Sequence, residues 1–378
     1  MTHDQFEVLS NQAVAACAVV YFLAVLTYAA HWAMARRVDG PVADRQEEGR
    51  TTNAAVEQAV LVGAEPRHRH LGAPGTTSGS DAHVPASDSG SYIGSELGSR
   101  TAKLNDDDAE SRTDRLARIG VSLTIVAALV HLVAVVARGL AADPVRVPWG
   151  NMYEFTLTGT LVVVVGYLLC YRRFRLSWLG PVVTSFTLIT LMVDVLVLYT
   201  PVVPLRDALQ SPWLVIHVIA AITATGAFTL GGMCSMLFLV KSRWEHKHAD
   251  DPEPGRGYVA RLPELATLDR IAYRTHAFAF PIWTFAALIA GPIWAYYAWG
   301  RFWGWDPKEV WAFITWVVYA AYLHARSTSG WRGRSAAIIA LVGLATLWFN
   351  FVGINFFFGS GSQHSYAAPA PASLVRTR

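Results

Sequence analysis

The sequence predicts an all-α integral membrane protein, a polytopic bundle of about eight transmembrane helices with both termini outside. Three observations carry that expectation. Of 378 residues, 53% are hydrophobic and only 16% charged. The apolar residues fall into runs of roughly 20, the length a helix needs to cross a bilayer. The basic residues gather in short loops between alternate runs, which sets the expected orientation. A net charge of +3 spread over such loops forms no nucleic-acid patch.

The runs lie near 12–33, 117–139, 155–171, 177–199, 212–240, 271–297, 308–325 and 335–357. The first lacks a basic leader and a small-residue cleavage site, so it reads as a retained helix over 1–35. Residues 36–115 are rich in Gly, Ser, Thr, Ala and charge and predict a disordered cytoplasmic linker. The membrane core then runs over 116–366, with an external Trp-rich loop at 294–311, and 367–378 forms a disordered tail. Arg36 and Arg37, Arg112 to Arg118, Arg172 to Arg175, Lys241 to Arg274, and Arg326 to Arg334 mark the cytoplasmic loops. The loop at Trp149–Glu154, the 200–211 loop and the Trp-rich loop are then external. Cys17, Cys170 and Cys234 all sit in apolar runs and form no C-x-x-C pair, which argues against thiol redox chemistry or a zinc site.

The stretch Gly300-Arg301-Phe302-Trp303-Gly304-Trp305-Asp306-Pro307-Lys308-Glu309-Val310-Trp311 carries the chemistry. Asp306-Pro307-Lys308-Glu309 reads as a helix start, with Asp as N-cap, Pro at the first position and Glu at the third. An interfacial aromatic belt accounts for Trp294, Tyr296 and Tyr297. It accounts less well for Trp299, Trp303, Trp305, Trp311 and Trp316 around one loop. Flat indoles suit a large planar ligand, and neutral imidazole is an axial ligand for its iron, so the pattern points to haem. Arg301, Lys308 and the new helix N-terminus are candidates for the propionates.

The histidines are candidate ligands in unequal degree. His217 lies about six residues into its helix, roughly 9 Å deep, and His364 follows the last helix on the same side. That pair suits bis-His ligation at an external site. His324, about sixteen residues along the post-loop helix, is a candidate for a second, inner haem site. His276 is an alternative partner there. His131 and His31 read as interhelical hydrogen-bonding residues, and His3, His68, His70, His83, His246 and His248 as solvated.

These residues resemble the CcsA/ResC family of cytochrome c biogenesis proteins, labelled CcsB in actinobacteria. The resemblance runs from about 117 to 366 and includes the WWD-type stretch Trp299 to Trp316 continuing to Tyr322-Leu323-His324. It also includes Trp149-Gly150-Asn151-Met152-Tyr153-Glu154, Ser211-Pro212-Trp213-Leu214-Val215-Ile216-His217, Gly353-Ile354-Asn355 and His364-Ser365-Tyr366. It implies haem b as substrate and bound ligand, held outside by His217 and His364, with Trp299, Trp303, Trp305, Asp306 and Trp311 around it. It implies that His324 gives one ligand to a haem inside the membrane, the second coming from a CcsB/ResB-type partner. The chain is then the haem-binding subunit of a system II holocytochrome c synthase in the bacterial plasma membrane. It would export haem and present it to apocytochrome c carrying C-x-x-C-H. The rival readings are a system I-like haem delivery protein and a haem-containing membrane electron carrier or transporter.

Overall fold

The computed structural model describes residues 1–38, 89–203, 210–249, 257–328 and 330–358. The chain divides into two compact units, Met1–Ala29 with Ala117–Arg378, and Ala30–Leu116. In the second, His31 and Trp32 meet edge to face at 5.2 Å. The first unit holds the features that follow.

All regular structure among the described residues is helical: α1 (His3–Val38), α2 (Ser89–Leu140), α3 (Met152–Phe174), α4 (Gly180–Val193), α5 (Pro212–Lys247), α6 (Leu265–Phe285), α7 (Gly291–Trp299), α8 (Pro307–Ser327), α9 (Arg334–Trp348) and α10 (Ile354–Phe357). Helix α2 begins inside the stretch expected as linker, and residues 39–88 lie outside the described residues. Wide turns of π type continue α4 over Asp194–Leu198, join α6 to α7 over Ala286–Ala290, and join α9 to α10 over Phe349–Gly353.

Seven helical stretches among the described residues are long and apolar enough to cross a bilayer. The eighth expected span, near 308–325, is a helix of 21 residues, about 31 Å long at 1.5 Å per residue. It is not one of the seven because its apolar content is diluted by Lys308, Glu309, Trp311, Trp316, Tyr319, Tyr322 and Arg326. Its Tyr319 and Tyr322 are nonetheless buried against α5 and α6.

Helices α5 and α6 pack along one another, α9 lies against α8 and α5, and α3 bridges α4 and α5. Small residues permit the close approaches: a Cβ on Gly231 would stand 2.7 Å from the His276 ring. One apolar cluster joins α1, α2, α3 and α4 with parts of α5, α6 and α9; another joins α5, α6, α8 and α9.

A buried ion network closes the end of the bundle that carries the Trp149 turn. Arg138, 0% exposed, donates through Nη1 to Glu7 and through Nε to Glu154, each at 3.3 Å, and through Nη2 to the carbonyl of Thr200. Arg146 meets Glu154 at 2.7 Å. The Glu154 carboxylate also accepts from Gly150 N at 2.8 Å, so it orders the turn it follows. Charges this deep are tolerated only when paired and hydrogen-bonded.

Candidate functional site

At the same end a cavity of about 830 Å³ opens between α3, α4, α5, α7, α8 and the α9–α10 turn. That volume is in the range of sites for ligands of cofactor size. His217 lines it from α5. Its Nδ1 lies 2.9 Å from the carbonyl oxygen of Ala286. A carbonyl can only accept, so Nδ1 carries the proton and the lone pair resides on Nε2, the form in which imidazole binds iron.

The acceptor is a product of local sequence. Ala286 opens the wide turn, and Gly291 N–H also donates to its carbonyl. Pro292, with no N–H, follows at the start of α7 and disfavours a regular α-helical ladder. Such turns occur frequently at functional sites. Gly291 leaves room for the imidazole, since a Cβ would approach His217 Cε1 to 3.2 Å and the ring would have to give by a few tenths of an ångström. The imidazole stacks on Trp294 with ring centres 5.9 Å apart and planes within 14°. Trp299 meets Trp294 edge-on at 4.9 Å.

The Trp-rich loop is held by the capping box that the sequence predicts. Lys308 N donates to Asp306 Oδ1 at 2.9 Å, and Glu309 Oε2 accepts from Gly304 N and Asp306 N at 2.8 and 3.1 Å. Of the indoles expected around a ligand, Trp299 and Trp303 line the cavity. Trp305 points elsewhere, 75% exposed, with φ of 57°. Trp311 packs on Phe349 at 4.2 Å, and Asp306 serves as the helix cap. Lys308 lines the cavity and Arg301 does not.

His324 is exposed near the far end of α8. His276 is wholly buried, 5.4 Å from Tyr319, 5.0 Å from Tyr322 and within 3.4 Å of Ser235 Oγ. Two residues beyond Tyr322, His324 is turned about 200° around α8, away from the face that Tyr322 presents to His276 on α6. His131 is a structural residue, its Nε2 2.9 Å from the Leu157 carbonyl. His364 lies outside the described residues.

Sequence reasoning passed over two walls of the cavity. One is the turn Trp149–Asn151, the other the aromatic pairs Phe155–Phe351 and Phe186–Trp348. The motif Trp149–Glu154 held the first signal, but Glu154 is buried with Arg138 and Arg146, whose pairing with it has no sequence signature.

The family described as Cytochrome C assembly protein matches residues 149–360, the stretch that builds this cavity. The chain belongs to that family. Cytochrome c biogenesis is thus the function class of the chain. Among curated relatives, the cytochrome c biogenesis protein CcsA of Guillardia theta is 33% identical over 261 residues, covering 66% of this chain and 85% of that protein. The CcsA of Synechococcus sp. (strain JA-2-3B'a(2-13)) is 32% identical over 308 residues with the same coverage. That of Chlamydomonas reinhardtii is 41% identical over 163 residues, 43% of each chain. The family match begins after α1 and α2, so the helices that supply Glu7 and Arg138 lie outside it.

Proposed function

We propose that the chain holds haem b as cargo in the cavity beside the Trp-rich loop and presents it at the external membrane face to apocytochrome c carrying C-x-x-C-H. The observation that carries this reading is the fixed His217 imidazole on a wall containing Trp294, Trp299 and Trp303. Indole faces and edges offer dispersion and quadrupole contacts to a planar macrocycle.

His364 is the second iron ligand in this reading. Phe356, at the chain's exit from α10, lines the cavity, and His364 follows it by eight positions in the sequence. The apocytochrome's own histidine displaces one of the two. Each substrate thiol then adds across a haem vinyl group: a C–S bond forms, and the thiol proton passes to the other vinyl carbon. The addition is redox-neutral, and no nucleophile from this chain is required. The chain contributes placement, which raises the effective concentration of the reacting groups.

His324 is the ligand of an inner haem. An exposed imidazole within an otherwise apolar helix face, formed by Phe313, Val317 and Ala321, is expensive against lipid and is relieved by a facing ligand from a CcsB/ResB-type partner.

The test is haem content and cytochrome c maturation by the chain purified with such a partner. His217→Ala is expected to lose the outer haem and most maturation, with added imidazole restoring both. His324→Ala is expected to lose the inner haem. Full haem content and maturation in both variants refutes the reading.

A further inference from the structure

The cavity wall holds a second set of polar atoms, beyond the axial ligand. In the turn before α3, Trp149 Nε1 and Asn151 Nδ2 are buried without a hydrogen-bond partner. The two residues are 9% and 6% exposed and both line the cavity. The orientation of the Asn151 amide is set by its other end: Oδ1 caps α3 by accepting from Glu154 N at 2.8 Å. Both unpartnered groups can therefore only donate.

The wall formed by the α9–α10 turn has the opposite character. Asn350 Oδ1 and Asn355 Oδ1 are buried without a partner, and both residues line the cavity. Asn355 is likewise fixed, because its Nδ2 donates to the Phe351 carbonyl at 2.6 Å. The fixed donors thus gather at 149–151 and the fixed acceptor at Asn355, while the unpartnered hydroxyls of Thr156 and Thr229, which can donate or accept, also line the cavity. A buried polar group left unmatched costs more than a bond made elsewhere returns, so the cavity selects a ligand with acceptors on one edge.

We propose that Trp149 and Asn151 form a carboxylate-binding subsite that takes the propionate edge of the tetrapyrrole, while Asn350 and Asn355 turn that edge away. The proposal rests on the haem reading above and deepens it by orienting the cargo. Trp149 packs in one cluster with Leu214, Val218 and Trp294, the indole stacked on His217, so the donors sit beside the axial ligand. Arg146 lines the same side, but its Nη1 and Nη2 already engage Glu154 and the carbonyls of Val147 and Val203. The subsite therefore works by directed neutral donors beside a balanced ion pair. Lys308, the cation expected from sequence, lines the cavity from the α8 side.

The experiment compares haem with haem dimethyl ester, which lacks the carboxylates, by equilibrium absorbance titration of the purified full chain. Asn151→Asp keeps the capping oxygen and replaces the donor by an acceptor. Trp149→Phe removes only the indole N–H and part of the ring. Each variant is expected to weaken haem binding, by about tenfold for Asn151→Asp and about fivefold for Trp149→Phe, and to leave the ester within about twofold. Equal loss of both ligands in Trp149→Phe, or unchanged haem affinity in both variants, overturns the subsite. His217→Ala separates the two claims: if it binds haem as wild type does, the underlying haem site fails rather than its orientation.

Discussion

The imidazole of His217 on α5 donates its Nδ1 proton to the backbone carbonyl of Ala286, 69 residues later, at 2.9 Å. The bond crosses two helices and uses an oxygen that no side-chain substitution can remove. What can be changed is the space around it. Gly291→Ala places a methyl group 3.2 Å from His217 Cε1 and 3.1 Å from the Ala286 oxygen. Loss of such an orienting partner costs ligand affinity about 10- to 100-fold. We expect about a tenfold weaker haem affinity with an unchanged melting temperature, read from parallel absorbance titration and thermal unfolding.

Glu154 is the hub of the buried ion network, with its side chain 1% exposed. Glu154→Gln leaves Arg138 and Arg146 short of one counter-charge in a low-dielectric site. Breaking such a pair from one side costs about 3–5 kcal/mol. The variant is expected to unfold at a markedly lower temperature in detergent. An Arg146→Met change made together with it should recover part of the loss.

His276 and His324 separate by environment. His276→Ala removes a ring from a close-packed interior and should cost roughly 2–4 kcal/mol of stability. His324→Ala removes an exposed ring and should leave stability within about 0.5 kcal/mol, while abolishing the haem signal that depends on the partner. Thermal unfolding and the absorbance spectrum of the partner complex read the two effects.

The indoles of the loop should divide in the same way. Trp303 lines the cavity and Trp305 is 75% exposed. Trp303→Ala is expected to weaken haem binding about fivefold or more through lost stacking area. Trp305→Ala should leave that affinity within about twofold. Equal losses from both would mean that the loop closes on its ligand in another conformation.

Much of this was legible in the sequence because it is written in short-range patterns. Apolar runs of helical length marked the spans, and Asp306, Pro307 and Glu309 marked the start of α8 to the residue. The place of His217, six residues into its helix, followed from the start at Pro212. Side-chain direction did not follow. Trp305 adopts a left-handed backbone conformation that swings its indole away from the cavity, while Trp303 in the same loop lines it. The separation of His276 from His324 also depends on which face of α8 each helix covers, a tertiary choice. The wide turn at Ala286–Ala290 had only Gly291-Pro292 as its signal, and that pair is equally compatible with a kink or a helix end. The donor pair at Trp149 and Asn151 emerges only when every other hydrogen bond of the turn has been assigned.

The arginine that joins α1, α2 and α3 also bears on how the chain is made. Translation delivers Glu7 first, Arg138 second and Glu154 last. When α2 enters the bilayer, the counter-charge on α1 is already in place, so Arg138 never has to wait unpaired for the helix that follows. A nascent chain lacking its first helix would leave the Arg138 guanidinium without Glu7 until Glu154 is made, at a cost in the bilayer that the full chain avoids.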